Sequence, residues 1–444
     1  MTLKVGISGI RGIVGISLTE EITSDFCRAA GTYFNGKRIV IGTDARQSKD
    51  IIKKAAIAGL KSCGCSVIDI GICPTPTVQL IVKKLKASGG IVVTASHNPP
   101  KWNGLKIIRG DGIFLNDGQA TKLIGIYESK NFRRARIKSK PVKKYPAALD
   151  THINLVLKNV NVKKIKSKKF KVAVDCCNGA GAIILPKLLK KLGCKVFKIN
   201  SSQGKTVPRE LEPTAENITA LCRAVKKYKC DIGFAQDPDA DRLSIVENNG
   251  RALGEEYSVV LAAEFVLSQN GPTNVVVNLS TSSMIDDTAK KYGASVVRTK
   301  IGEVNVSEKM KELKSIIGGE GNGGVIFPVV GLGRDSLAGV AIILNLLTER
   351  GRTLSEIVST IPKYIILKDK IQGSVDDLVS KLKSKFINCE MDFQDGVKII
   401  YPDKWVHARP SNTEPIIRII AEGKTIEESK DLIEQVKSAL LPSG

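Results

Sequence analysis

The chain has 444 residues, 42% apolar, 25% charged and 5% aromatic, an ordinary globular composition that excludes disorder. Its 68 Lys and Arg against 44 Asp and Glu leave a net charge of +24, a field that favours anionic partners such as small phosphorylated molecules. No stretch reaches the roughly 18 apolar residues of a membrane span, and the amino terminus runs directly into a strand pattern without a secretory leader, so no membrane partner is expected and a cytoplasmic setting is. Ten cysteines without a C-x-x-C pair, beside three histidines, argue against a disulfide scaffold or structural zinc and for buried reduced thiols.

Short β-branched runs alternate with helical patterns, which predicts α/β layers. In the first section strands are expected at 38–42, 67–70, 90–94 and 104–108 and helices at 49–63 and from the Pro-Thr-Pro turn at 74–76 to residue 85, followed by a basic connector over 133–146. Residues 163–171 hold six lysines in nine and read as a solvated turn. Only Phe170 interleaves an aromatic there, whereas a nucleic-acid platform wants basic and stacking side chains together, so no nucleic-acid partner is expected. The pattern restarts with strands at 170–174, 194–199 and 231–235 and helices at 183–192 and 216–228. A third round follows: helix 255–268, strand 274–279, helix 283–292, strand 295–299, helix 304–313, strand 315–318 and helix 335–350. After Pro362 the order strand 364–369, helix 375–386, two strands at 397–401 and 416–421 flanking a turn, and helix 426–440 predicts a small α+β domain. Four domains result, at 1–145, 146–250, 251–362 and 363–444.

Four loops carry residues suited to chemistry. The strand at 90–94 delivers Thr94-Ala95-Ser96-His97-Asn98-Pro99-Pro100, a serine just past the carboxyl end of a strand, where α/β folds place ligands. It lacks the glycines of a hydrolase nucleophile elbow, and a serine satisfying its own turn is the simpler alternative. Next is Asp237-Pro238-Asp239-Ala240-Asp241-Arg242. Three carboxylates at alternate positions converge on a hard cation when the turn curls around it; an EF-hand fails because its glycine position is Arg242, and a solvated acidic turn is the alternative. The third, Gly318-Gly319-Glu320-Gly321-Asn322-Gly323-Gly324, lets backbone and ligand approach closely, with Glu320 and Asn322 as hydroxyl readers, or is a flexible hairpin. The fourth, Arg409-Pro410-Ser411-Asn412-Thr413-Glu414-Pro415, offers an anion cradle or a plain turn.

Together with Gly9-Ile10-Arg11-Gly12, these four segments, in this order over essentially the whole chain, resemble the α-D-phosphohexomutase family. The resemblance implies a four-domain architecture around a central cleft, three similar mixed α/β domains and a mobile C-terminal α+β domain. It implies Ser96 as a phosphoserine, Asp237, Asp239 and Asp241 binding one Mg²⁺ with a phosphoserine oxygen, and Lys106, in Asn103-Gly104-Leu105-Lys106, as general acid/base. His97 and Arg11 support the phosphoryl group, Arg242 and Lys300 line the cleft, Glu320 and Asn322 contact sugar hydroxyls, and Arg409, Ser411, Asn412 and Thr413 hold the distal phosphate. Where many members read Gly-Glu-x-Ser-Gly-His, this chain has Asn322 and Gly324 for the serine and histidine; that form and Arg298-Thr299-Lys300-Ile301-Gly302-Glu303 are similar to the archaeal phosphoglucosamine mutase branch.

The implied reaction moves phosphate between the 6- and 1-oxygens of a hexose through phosphoserine and a hexose 1,6-bisphosphate, which also serves as activator. Glucosamine 6-phosphate ranks first as substrate, glucose and mannose phosphates follow, and the chain is expected to act as a monomer or homodimer. A lysine base near neutral pH needs a lowered pKa, which neighbouring cations are expected to supply. The rival readings are a Mg²⁺-dependent sugar phosphatase using Ser96 and a non-catalytic nucleic-acid binder.

Overall fold

A computed structural model describes residues 3–6, 9–135, 140–206, 209–373, 377–411 and 416–441. The first sheet has seven strands in the spatial order Lys4–Gly6, Gly9–Ile13, Trp102–Arg109, Gly89–Val93, Arg38–Thr43, Ser66–Ile72, Lys143–Lys144. Its central strands are buried on both faces, as parallel strands covered by helices must be. In Arg38–Thr43, Ile39 and Ile41 pack with Phe26, Leu60 and Leu105, whereas Val40 points the other way into a core with Val78, Ile81 and Ile108.

Two further sheets follow, ordered Ala252–Gly254, Leu243–Glu247, Ile232–Gln236, Lys171–Asp175, Lys195–Ile199 and then Ser295–Thr299, Asn274–Asn278, Ile317–Glu320, Gly324–Ile326. All three sheets share one device. Three parallel strands end at a common edge, and the last of them turns back into an antiparallel partner: Gly89–Val93 into Trp102–Arg109, Ile232–Gln236 into Leu243–Glu247, Ile317–Glu320 into Gly324–Ile326. The serine, triple-aspartate and glycine-rich loops are those three reversals, so each sits at the carboxyl end of a parallel strand, where open sheets bind ligands.

The last sheet is antiparallel, Ile365–Gln372, Ile416–Gly423, Trp405–Pro410, Val397–Ile400, Glu390–Asp392, with helices Leu378–Lys385 and Ile426–Leu440 closing its core. It docks on the third sheet through polar contacts. His407 Nδ1 lies 2.8 Å from Ser280 Oγ, and the Ser283 N–H donates to Glu422 Oε1 at 2.9 Å. The Lys398 ammonium donates to the Leu279 carbonyl at 2.6 Å and sits 4.1 Å from the Trp405 ring centroid.

Several expectations need correction. Helices Glu20–Tyr33, Asp117–Ser129 and Ala148–Lys158 were not anticipated; the first is capped by Thr19, whose Oγ1 accepts from the Ile22 N–H, and begins Glu20-Glu21, both stabilising its positive end. The lysine run is no turn: Val162–Lys168 is helical, held by buried Ile165. The tail has two further strands, Glu390–Asp392 ahead of the two expected around a turn and Trp405–Pro410 between them, so Arg409 belongs to a strand.

Burial pulls Lys398 down to about 7, with Arg298 adding to the effect and Glu422 opposing it. Between that value and the ordinary lysine range, the unfolded chain binds the extra proton, so stability rises with pH, by up to about 1.4 kcal/mol per unit. The melting temperature of Lys398→Met, which lacks this titration, should accordingly rise less between pH 7 and 9.5 than that of the parent chain; parallel curves would reject a titrating Lys398.

Candidate active site

Ser96 follows the strand Gly89–Val93 in a left-handed conformation, φ +49°. Its N–H donates to Thr94 Oγ1 at 2.9 Å, and its hydroxyl reaches Asp237 Oδ2 at 3.1 Å, across the boundary between the first two sheets. His97 Nδ1 lies 3.5 Å from the serine oxygen and 3.3 Å from Arg242 Nη2. Burial and the neighbouring Arg242 bring His97 down to about 3, so its imidazole is neutral at pH 7. Arg11 reaches the same loop, donating to Asn98 Oδ1 at 3.1 Å.

Asp237, Asp239 and Asp241 are fully buried, and each offers an oxygen within 4.8 Å of the others'. The loop curls because Asp237 Oδ1 accepts the N–H groups of Asp241 and Arg242, both at 3.2 Å, while Ala240 adopts φ +54°. Burial and then the charges of Asp241 and Asp239 push the Asp237 carboxyl well above the usual carboxylate range. Asp239 Oδ1 and Asp241 Oδ1 are buried without a hydrogen-bond donor. Orphaned carboxylate oxygens in a like-charged, all-oxygen set are the donor chemistry of a hard divalent cation, so these residues fit one.

Lys106 stands opposite Val92 on the strand Trp102–Arg109 and is buried. Its ammonium contacts Asp239 Oδ2 at 2.7 Å and Asp241 Oδ2 at 3.3 Å. Burial opposes its charge, but Asp239 and Asp241 outweigh burial and nearby arginines, so the group is held above its ordinary range. The expectation of a lysine lowered by cations is therefore corrected: the metal-site carboxylates lie closer than Arg11 or Arg334.

The other expected groups divide. Arg242 is buried, donating to Glu212 Oε1 at 2.9 Å beside His97. Glu320 is buried and already accepts from Asn278 Nδ2 at 2.9 Å, the Gly302 N–H at 3.0 Å and Arg334 Nη1 at 2.8 Å; Asn322 Oδ1 lies 3.5 Å from the same guanidinium. Lys300 is exposed, and its ammonium makes no ion pair among the described residues. Arg409 is buried with Nε 3.1 Å from Asp395 Oδ1, and the Ser411 N–H bonds the Ile416 carbonyl at 2.9 Å. Asn412 and Thr413 lie outside the described residues.

Sequence reasoning missed Arg334, which joins two of the loops. Its guanidinium meets Asp241 Oδ2 at 2.7 Å, Glu320 Oε2 at 2.8 Å and Glu303 Oε2 at 3.2 Å. Nothing local marks it: it is one arginine between Gly333 and the helix cap Asp335. Arg334→Ala removes the buried counter-charge of Glu320 and Glu303 and leaves Asp241 with Lys106 alone, and should cost about 3–5 kcal/mol of stability, measurable by denaturant unfolding; a loss under about 1 kcal/mol would show that these carboxylates do not depend on it. Asp44 and Arg46, behind the serine loop, were missed as well.

Four family models match in order: phosphoglucomutase/phosphomannomutase alpha/beta/alpha domains I, II and III at residues 2–134, 150–250 and 254–364, and the C-terminal domain at 364–439. A phosphoglucomutase/phosphomannomutase of Thermococcus kodakarensis is 38% identical over 97% of this chain and 96% of its own. A phosphoglucosamine/phosphogalactosamine mutase of Sulfurisphaera tokodaii is 33% identical over 97% of this chain and 98% of its own. Among solved structures, a phosphoglucomutase/phosphomannomutase family protein of Burkholderia thailandensis superposes with TM-score 0.86 at 25% identity, covering 98% of this chain and 96% of that one.

Proposed function

The chain belongs to the phosphoglucomutase/phosphomannomutase family and is a hexose-phosphate mutase; on that premise we propose that it interconverts glucosamine 6-phosphate and glucosamine 1-phosphate through phosphorylated Ser96 and the 1,6-bisphosphate. The observation that carries the serine assignment is the approach of Ser96 Oγ to Asp237 Oδ2 at 3.1 Å, at the mouth of the aspartate loop. The choice of sugar leans on the relative of Sulfurisphaera tokodaii and on the Asn322-Gly323-Gly324 and Thr299-Lys300-Ile301-Gly302-Glu303 segments. The identity to the Thermococcus kodakarensis relative favours glucose and mannose phosphates as the second reading. Turnover on the three 6-phosphates, primed with a trace of hexose 1,6-bisphosphate, decides between them: glucosamine 6-phosphate should give the highest kcat/KM, with its 1-phosphate as product and little free phosphate. Free phosphate as the main product would mark a phosphatase.

Asp237, Asp239 and Asp241, with an oxygen of phosphorylated Ser96, hold Mg²⁺ in this reading. When bound, the ion neutralises charge on the transferring group. The remaining chemistry belongs to side chains. In-line phosphoryl transfer is mostly positioning and charge compensation, so Arg11 and neutral His97 orient the phosphoryl oxygens and Lys106 delivers a proton to the serine oxygen as it leaves. Arg242, pinned by Glu212, and Lys300 oppose the charge of the bisphosphate. Glu320 and Asn322 accept from sugar hydroxyls, and the Arg334, Asn278 and Gly302 bonds fix the direction in which Glu320 faces.

Arg409, Ser411, Asn412 and Thr413 receive whichever phosphate is not reacting. The bisphosphate must present either end to them, so this cradle reads phosphate and ignores the ring. Arg409→Ala removes a charge-assisted contact of about 1.5–3 kcal/mol and should raise KM for the monophosphate about 10- to 100-fold. An unchanged KM would remove Arg409 from the cradle.

A further inference from the structure

The strands Arg38–Thr43 and Gly89–Val93 run parallel with Thr43 opposite Val93, so the residues just past their ends, Asp44 and Thr94, meet. Both are fully buried. Asp44 Oδ2 accepts the Thr94 hydroxyl at 2.6 Å and Arg46 Nε at 3.0 Å, and its Oδ1 accepts the Arg46 backbone N–H at 3.0 Å. The carboxylate thus clamps a guanidinium two residues further along and, through the Thr94 oxygen that receives the Ser96 N–H, the start of the serine loop.

The guanidinium is used completely. It has five N–H donors. Nε takes Asp44; Nη1 donates to the carbonyls of Pro99 and Trp102 at 3.0 and 3.1 Å; Nη2 donates to the carbonyl of Asn98 at 2.8 Å and to that of Ser96 itself. Four carbonyls of one seven-residue turn, 96–102, therefore converge on a single side chain that is 6% exposed. A loop whose carbonyls are turned inward presents its other face outward, and that face carries the Ser96 hydroxyl, in a left-handed conformation a serine does not adopt unaided.

We propose that Arg46, locked by Asp44, is a positioning residue of the mutase: it touches neither sugar nor phosphoryl group, and it sets the Ser96 oxygen on the line of transfer and keeps it there while the bisphosphate reorients. The proposal rests on the reading of Ser96 as the phosphoryl carrier. A loop that drifts by 1 Å forfeits about 10²-fold in rate while leaving in place the proposed sugar and distal-phosphate contacts of Glu320, Asn322 and Arg409, none of which lies on that loop.

The test uses the full chain, with Arg46→Lys, Arg46→Ala and Asp44→Asn, each checked for a cooperative melt. With glucose 1,6-bisphosphate as primer, Arg46→Lys should lose about 10²-fold in kcat with KM within about threefold of the parent, because an ammonium cannot reach four carbonyls. Asp44→Asn, which keeps the shape and frees the guanidinium, should lose about tenfold. Added guanidinium ion should recover part of the kcat of Arg46→Ala, a rescue that mere stabilisation of the fold does not yield. A folded Arg46→Lys with parental kcat overturns the proposal, as does a KM that rises in step with the loss of kcat. Intact-mass analysis of the parent enzyme separates the two ideas: absence of a phosphoryl group on Ser96 sinks the carrier reading, and its presence beside an unimpaired Arg46→Lys sinks only the role of Arg46.

Discussion

Ser96→Ala should lose mutase turnover by about 10⁴-fold or more, the scale seen when a covalent nucleophile is removed, while its melting temperature stays within a few degrees of the parent. The two effects have separate physical causes. Loss of turnover follows because no other free hydroxyl stands at the aspartate triad among the described residues: the Thr94 oxygen is consumed by Asp44 and the Ser96 N–H, and the Thr75 oxygen is held by Asp239 Oδ2 at 2.5 Å. Preservation of the fold follows because the loop is held by main-chain carbonyls on Arg46, none of which depends on the serine side chain. The substitution removes one hydrogen bond, from Ser96 to Asp237, whose carboxyl still accepts the Asp241 and Arg242 N–H groups. Rates with primed glucosamine 6-phosphate, together with a thermal melt, check both effects. Activity near the parental level would reject the covalent mechanism outright; a collapsed melt would mean that the hydroxyl itself is structural.

How far this could be read from residues alone depends on the range of the interaction concerned. The serine and aspartate loops were legible because their signals are local: a β-branched run, then a polar turn, with carboxylates two residues apart. The parallel strands were legible for the same reason, since Ile39, Val40 and Ile41 announce burial on both faces. What stayed hidden acts across the chain. Arg46 serves carbonyls about fifty positions away, and Arg334 meets Asp241 at a separation of 93; a lone arginine in sequence carries no mark of the backbone or acid it will face. The strand Trp405–Pro410 was obscured because it buries polar residues, His407 against Ser280 and Arg409 against Asp395, so no apolar alternation advertised it. The helix Glu20–Tyr33 is a different failure, because Thr19, Glu20 and the stripe of Phe26, Cys27 and Ala30 were present as signals. The direction of the Lys106 shift depended on distances to carboxylates more than 130 residues later, which composition could not supply.

Lys106 leads to the second large effect. Lys106→Met should lower kcat about 10²- to 10⁴-fold, the range for a positioned acid or base, and Lys106→Arg should recover no more than a tenth of the missing rate. The second variant discriminates between two ways in which an ammonium beside Asp239 and Asp241 can act. If its charge alone matters, a guanidinium replaces it, since arginine is always cationic. If a proton must move, arginine fails, because it does not release one in proteins. The structure holds Lys106 as an ammonium above its ordinary range, with Asp239 Oδ2 at 2.7 Å; in the proposed reaction that proton would go to the departing serine oxygen and be restored by the incoming hydroxyl. A cation brought to the triad competes with Lys106 for those carboxylates and weakens the pairing that raises it, so proton release becomes easier in the loaded enzyme than in the free one. The alkaline limb of kcat against pH should therefore lie below the pH at which Lys106 titrates in metal-free enzyme. Full activity in Lys106→Arg, with an alkaline limb unchanged from the parent, would reduce Lys106 to charge compensation and move the proton to another carrier.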